Sequence, residues 1–71
     1  MGRGDIAAYT KAIMTALRES GRVELVCSTI STSVARSRIY NAASRAGLRV
    51  TTRICRPTIG DHYVVGRTME E

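Results

Sequence analysis

Arg36, Arg38, Arg45, Arg49, Arg53 and Arg56 fall within a run of 36 residues, 25–60, that contains no Asp or Glu. A guanidinium is a planar fork of donors, able to grip a phosphate or a guanine edge with two hydrogen bonds at once. An unpaired arginine is costly to bury, so much of this charge must reach solvent. The result is a one-signed surface, and the polyanion such a surface most commonly meets is nucleic acid. The formal net charge of +5, carried by ten Arg and one Lys against six acids, agrees in sign.

Other chemistries find little to work with. The acids Asp5, Glu19, Glu24, Asp61, Glu70 and Glu71 are scattered at element ends, so no paired carboxylates converge. His62 is the single histidine. No nucleophile–base arrangement and no glycine-rich phosphate loop is present. We therefore expect no enzyme, no cofactor and no small-molecule substrate; 71 residues leave little room for a pocket. Cys27, Cys55 and His62 lack metal-ligand spacing. With no signal peptide and no membrane-length apolar run, the cysteines read as free thiols in a reducing cytoplasm. Arg3-Gly4-Asp5 matches a cell-adhesion tripeptide without any extracellular signature around it.

Apolar periodicity supplies the frame for the arginines. Ile6, Tyr9, Ile13, Ala16 and Leu17 recur at spacings of three and four, predicting a helix over 6–19. Asp5 is its expected cap and Gly21 its stop, with Thr10 off the apolar stripe. Alternation over 22–27 predicts a strand with Val23, Leu25 and Cys27 on one face. The Ser/Thr cluster at 28–33 reads as a capping turn. A second helix follows over 33–46, its apolar face Val34, Ala35, Ile39, Ala42, Ala43 and Ala46, stopped by Gly47. Arg38, Asn41 and Arg45 share one stripe beside that face, and Arg36 borders it on the other side. Residues 48–56 alternate again, with Leu48, Val50, Thr52 and Ile54 inward and Arg49, Thr51, Arg53 and Cys55 outward. Pro57 ends this strand, Gly60-Asp61 turns the chain, and 62–69, with Arg67, returns. The order helix–strand–helix–strand–strand predicts a single small α+β domain. In it, two helices pack on one face of a three-stranded sheet with a basic C-terminal β-hairpin. Lacking Phe and Trp, so small a core is weak, and a homodimer is one way to bury more apolar surface.

The run Ser37-Arg38-Ile39-Tyr40-Asn41-Ala42-Ala43-Ser44-Arg45-Ala46-Gly47-Leu48, followed by Thr51-Thr52-Arg53 and Asp61-His62-Tyr63-Val64-Val65, resembles a known layout. It is similar to small nucleic-acid-binding domains with an Arg-x-x-x-His signature, in which a helix ends at Gly-Leu and a hairpin follows. The C-terminal domain of the third bacterial translation initiation factor has a comparable plan. Arg38 matches the signature arginine, whereas Ala42 stands at the histidine position. Winged-helix DNA-binding proteins, with a helix followed by a basic wing, are a second resemblance. They need another helix where only residues 28–32 are available here.

The expectation is thus a small basic cytoplasmic protein that binds nucleic acid. DNA is favoured over RNA, and duplex over single strand because few aromatics offer stacking. The expected contacts are Arg36, Arg38, Asn41 and Arg45 from the second helix, with Arg49, Arg53, Arg56 and Arg67 from the hairpin. The rival reading is an adaptor or inhibitor that docks on an acidic protein. Small size and the Arg-for-Lys bias would suit a phage or mobile-element protein.

Overall fold

The elements run α1 (Ala8–Ser20), β1 (Arg22–Val26), α2 (Thr32–Ala46), β2 (Val50–Cys55) and β3 (Tyr63–Thr68). These come from a computed structural model that describes residues 8–69. The expected Asp5 cap and the Ile6 end of the first stripe lie outside the described residues. Glycine sets the two helix exits: Gly21 (φ 69°) and Gly47 (φ 72°) both adopt the left-handed conformation that ends a helix at little steric cost. Gly47 and Leu48 return their N–H groups to the carbonyls of Ser44 and Ala43. At the other end of α2, the Ser31 hydroxyl accepts from the Val34 N–H at 3.1 Å, so the polar cluster does cap this helix. Residues 28–31 form no helix, which leaves no helix-turn-helix corner.

The three strands form one antiparallel sheet in the order β1-β3-β2. Both neighbours of the central strand are in continuous register, with Glu24 and Arg53 flanking Val65, and Leu25 and Ile54 flanking Val64. Alternation then decides what each face holds. Val23, Leu25, Val50, Ile54 and Val64 join Ile13, Leu17, Ala35, Ile39, Ala42 and Ala43 in one core. α1 lies over β1 and β3, and α2 over β2 and β3, so both helices share that face. The fold is therefore the expected α+β unit with two helices on one side of three strands. No helix is long and apolar enough to cross a membrane among the described residues.

Two side chains exchange the roles that periodicity assigns them. Thr10 is buried at 8 % exposure, whereas Tyr9 is 47 % exposed. The buried stripe of α1 is centred on Thr10, Ile13 and Leu17. Tyr9 lies at its margin, where the Arg38 guanidinium stands 4.1 Å from the ring centroid. A large ring covered by a cation does not need full burial. Val34, expected in the core, is exposed as well; the small side chains of Ala35, Ala42 and Ala43 make the close contact instead.

The cysteines are both free, and they sit on opposite faces of the sheet. Cys27 packs beneath the helices, while Cys55 pairs in register with Tyr63 on the uncovered side. A disulfide between them would have to pass through the sheet.

Candidate nucleic-acid interface

Because both helices occupy one face, the other is bare, and its composition follows from the register. Its cross-strand rows are Arg22–Arg67–Thr51, Glu24–Val65–Arg53 and Val26–Tyr63–Cys55. Arg22, Arg53 and Arg67 are all exposed there. A concavity of about 790 Å³ opens on this side, bounded by Arg22, Thr51, Arg53, Tyr63, Val65 and Arg67 among others. Val65 reaches only 8 % exposure without a covering helix. The side chains of Glu24 and Arg53, its neighbours on either strand, lie beside it.

The expected contact residues do not form one patch. Arg36 and Arg38 leave α2 on opposite flanks. The Arg36 Nε–H donates to the Thr52 hydroxyl at 3.2 Å on the β2 side, and Tyr40 lies 3.3 Å from the same oxygen. Arg38 is half-buried against Tyr9 on the α1 side. Asn41 and Arg45 are exposed further along α2. Arg45 occupies the last turn, where a cation also favours the negative end of the helix dipole. The connectivity brings the end of α2 to the start of β2. Arg45 and Arg49 therefore share one end of the molecule with Arg18, Arg22 and Arg67. Arg56 follows the far end of β2, about 23 Å from Arg49 at the rise of an extended strand. Arg53 and Arg67 face away from the helices altogether.

Arg45, Arg53, Arg56 and Arg67 meet no carboxylate among the described residues, whereas Arg22 pairs with Glu24 two residues on. Arg22 was not singled out by sequence because it precedes the acid-free run. Its signal is the alternation Arg22–Glu24–Val26, which puts it on the outward face of an edge strand. In the register, Arg22 and Arg67 are directly opposed. The N–H donations of Thr68 to Gly21 and Cys27 to His62 fix the hydrogen-bonded pairs on the odd residues of β1. Arg22–Arg67 is thus a non-hydrogen-bonded pair, the closer kind, with Cα atoms about 4.5 Å apart.

Two tyrosines are displaced in opposite directions. The hydrogen bond with Thr52 brings the Tyr40 phenol below its ordinary value of 10.0; desolvation opposes this and Arg36 assists it. The adjacent Cys55 thiol, through a hydrogen bond and then through charge, pushes Tyr63 above that value; burial and Glu24 add to the rise and Arg22 opposes it. Tyr40 therefore contributes stability that is present above its unfolded-state value and is lost as pH falls through the folded one. Tyr63 contributes stability that is full below the unfolded value and lost as pH rises through the folded one. In a titration of ring-labelled protein followed by NMR, with Tyr40→Phe for assignment, Tyr40 should ionise before Tyr63. The reverse order would be incompatible with the Thr52 and Cys55 contacts.

Compared with known proteins, the chain matches no family model, and no curated protein or solved structure is significantly similar to it.

Proposed function

We propose that this protein binds nucleic acid, with duplex DNA gripped through the phosphates by α2 and the β2–β3 hairpin. The observation that carries this reading is the set Arg45, Arg53, Arg56 and Arg67: exposed cations that engage no carboxylate among the described residues. Self-repulsion of this kind opposes folding, and a bound polyanion relieves it. Arg45 and Asn41 on the exposed side of α2 suit contacts to backbone or base edges. The likeness of residues 37–48 to small nucleic-acid-binding domains with an Arg-x-x-x-His signature supports the same class of partner.

The test is a titration against random duplex, single strand and an acidic control protein at several salt concentrations. Each phosphate contact to duplex DNA should steepen the slope of log affinity against log salt by about 0.9. Affinity for the acidic protein with no salt-sensitive affinity for any nucleic acid would instead make the chain an adaptor.

A further inference from the structure

We infer that the bare face of the sheet is a site for unpaired nucleotides, with phosphates held by Arg22, Arg53 and Arg67 and a base laid against Tyr63. This rests on the nucleic-acid reading and deepens it: Arg53 and Arg67, two of the four arginines that carry that reading, lie with Arg22 on this face, turned away from α2, and the form of ligand it prefers is unpaired.

Charge comes first. The face carries three guanidiniums and one carboxylate, and that carboxylate is already paired with Arg22. Arg22 and Arg67 are direct cross-strand neighbours, an arrangement in which like charges destabilise a sheet. Arg53 lies diagonally from Arg67 on the other side, and neither forms an ion pair among the described residues; Glu24, diagonal to Arg67 on β1, is the carboxylate held by Arg22. An anion seated between these three side chains removes the repulsion. A second copy of this chain, docked face to face, would bring two such clusters together and increase it. The occupant favoured by charge is anionic.

Shape and aromatic placement narrow the anion. Tyr63 and Val65 lie on the central strand, recessed and half-buried or buried, with the arginines around them. Bases stacked and paired inside a duplex keep their faces covered, so a duplex can offer this concavity only its convex sugar–phosphate exterior. A single strand can turn a base out of its stack and lay it on a ring while its backbone follows the cations. One tyrosine offers one stacking position, and the apolar row Val26–Tyr63–Cys55 extends the surface beside it. Arg53 lies one row from Tyr63, about 7 Å along the strand, and Arg22 and Arg67 lie two rows away, about 13 Å. Those separations are on the scale of one and two nucleotides of an extended single strand.

The probe is a fluorescently labelled ten-residue oligothymidylate and a duplex of the same length, both at low salt. Added to the unmodified protein, the oligothymidylate should shift the backbone amide resonances of Thr51, Arg53, Tyr63, Val65 and Arg67 in NMR spectra. Those of α2 should move less. Tyr63→Leu should weaken oligothymidylate binding by about 5- to 150-fold, the range a stacked base contributes. It should leave duplex binding within about twofold, and Tyr63→Phe should restore the single-strand affinity. Arg45→Gln should do the converse and weaken only the duplex. If the oligothymidylate shifts α2 and leaves β3 unmoved, or Tyr63→Leu binds it like the parent, the sheet-face site is overturned while nucleic-acid binding stands. If neither oligonucleotide shifts any resonance, both readings fall together. The amide shifts come from the unmodified chain, so they decide the matter even if the leucine variant folds poorly.

Discussion

Gly66→Ala is expected to lower the thermal midpoint by about 5–20 °C, although it adds a single methyl group. Gly66 sits in the middle of the central strand on the face that meets α2. A Cβ there would stand 2.6 Å from Ile39 Cγ2 and 3.3 Å from both Ile39 Cδ1 and Val23 Cγ1. The backbone at Gly66 is not left-handed, so the demand for glycine is one of space and not of φ. Ile39 cannot easily yield. It is fully buried, and the clashing methyl is attached at its branched Cβ, where a helix permits little rotation of χ1. Alanine has no strand-propensity penalty relative to glycine, so overpacking decides the sign. Overpacking of this kind costs roughly 1–3 kcal/mol. A domain of this size has only about 4–10 kcal/mol in total.

The same contact predicts a coupling. Ile39→Ala alone opens a cavity in the centre of the core and should cost about 2–5 kcal/mol. Combined with Gly66→Ala, it removes the methyl that clashes, and the new Cβ fills part of the hole. The double variant should be more stable than the sum of the two changes implies, by about 0.5–3 kcal/mol. Denaturant unfolding of the four proteins measures it. A Gly66→Ala protein as stable as the parent would mean that α2 does not approach the sheet this closely.

This contact also shows where sequence reading stops. Gly21 and Gly47 were legible as helix stops because a break in periodicity accompanies each. Gly66 breaks nothing: it occupies one place in an otherwise ordinary strand, and its meaning depends on which residue of α2 lies above it. The phase of β3 is hidden for a related reason. Val64 and Val65 are both apolar, so alternation alone does not say which one faces the helices. The structure gives that place to Val64, at 0 % exposure, and leaves Val65 on the uncovered side. Tyr9 and Thr10 exchanged places because a wheel ranks residues by hydropathy and cannot foresee an arginine from another helix covering a ring. The inward and outward residues of β2, by contrast, follow directly from alternation. The largest gap concerns the arginines. Sequence groups them by proximity along the chain, and two-layer packing regroups them: Arg53 and Arg67 go to a face that α2 does not border, and Arg22 joins them from β1.

Arg67→Glu should raise stability and lower nucleic-acid affinity at the same time. The parent places Arg67 directly opposite Arg22 and diagonal to Arg53, both of them cations. Substitution by Glu turns one direct repulsion into an attraction and gives Arg53 a nearby carboxylate; diagonal repulsion from Glu24 takes back part of the gain. Cross-strand charge pairs are worth roughly 0.2–1 kcal/mol each, and those exposed to solvent sit low in that range. A net gain of about 0.5 kcal/mol, or a few degrees in thermal midpoint, is expected in low salt, and it should shrink as salt screens the pair. Binding moves the other way. The formal net charge falls from +5 to +3, since one substitution of Arg by Glu removes two units. One lost phosphate contact should flatten the salt slope by about 0.7 on a single strand, or about 0.9 on a duplex, and the new carboxylate repels the phosphate that remains nearby. The neutral variant Arg67→Thr separates these effects: it should relieve the repulsion without creating an attraction, and fall between parent and Glu variant in both measurements. Calorimetry and oligonucleotide titration on the same preparations provide the comparison. A structural origin for the Arg22–Arg67 pair predicts the opposite pattern, a Glu variant that unfolds earlier and binds as the parent does, and that outcome would remove these arginines from the interface.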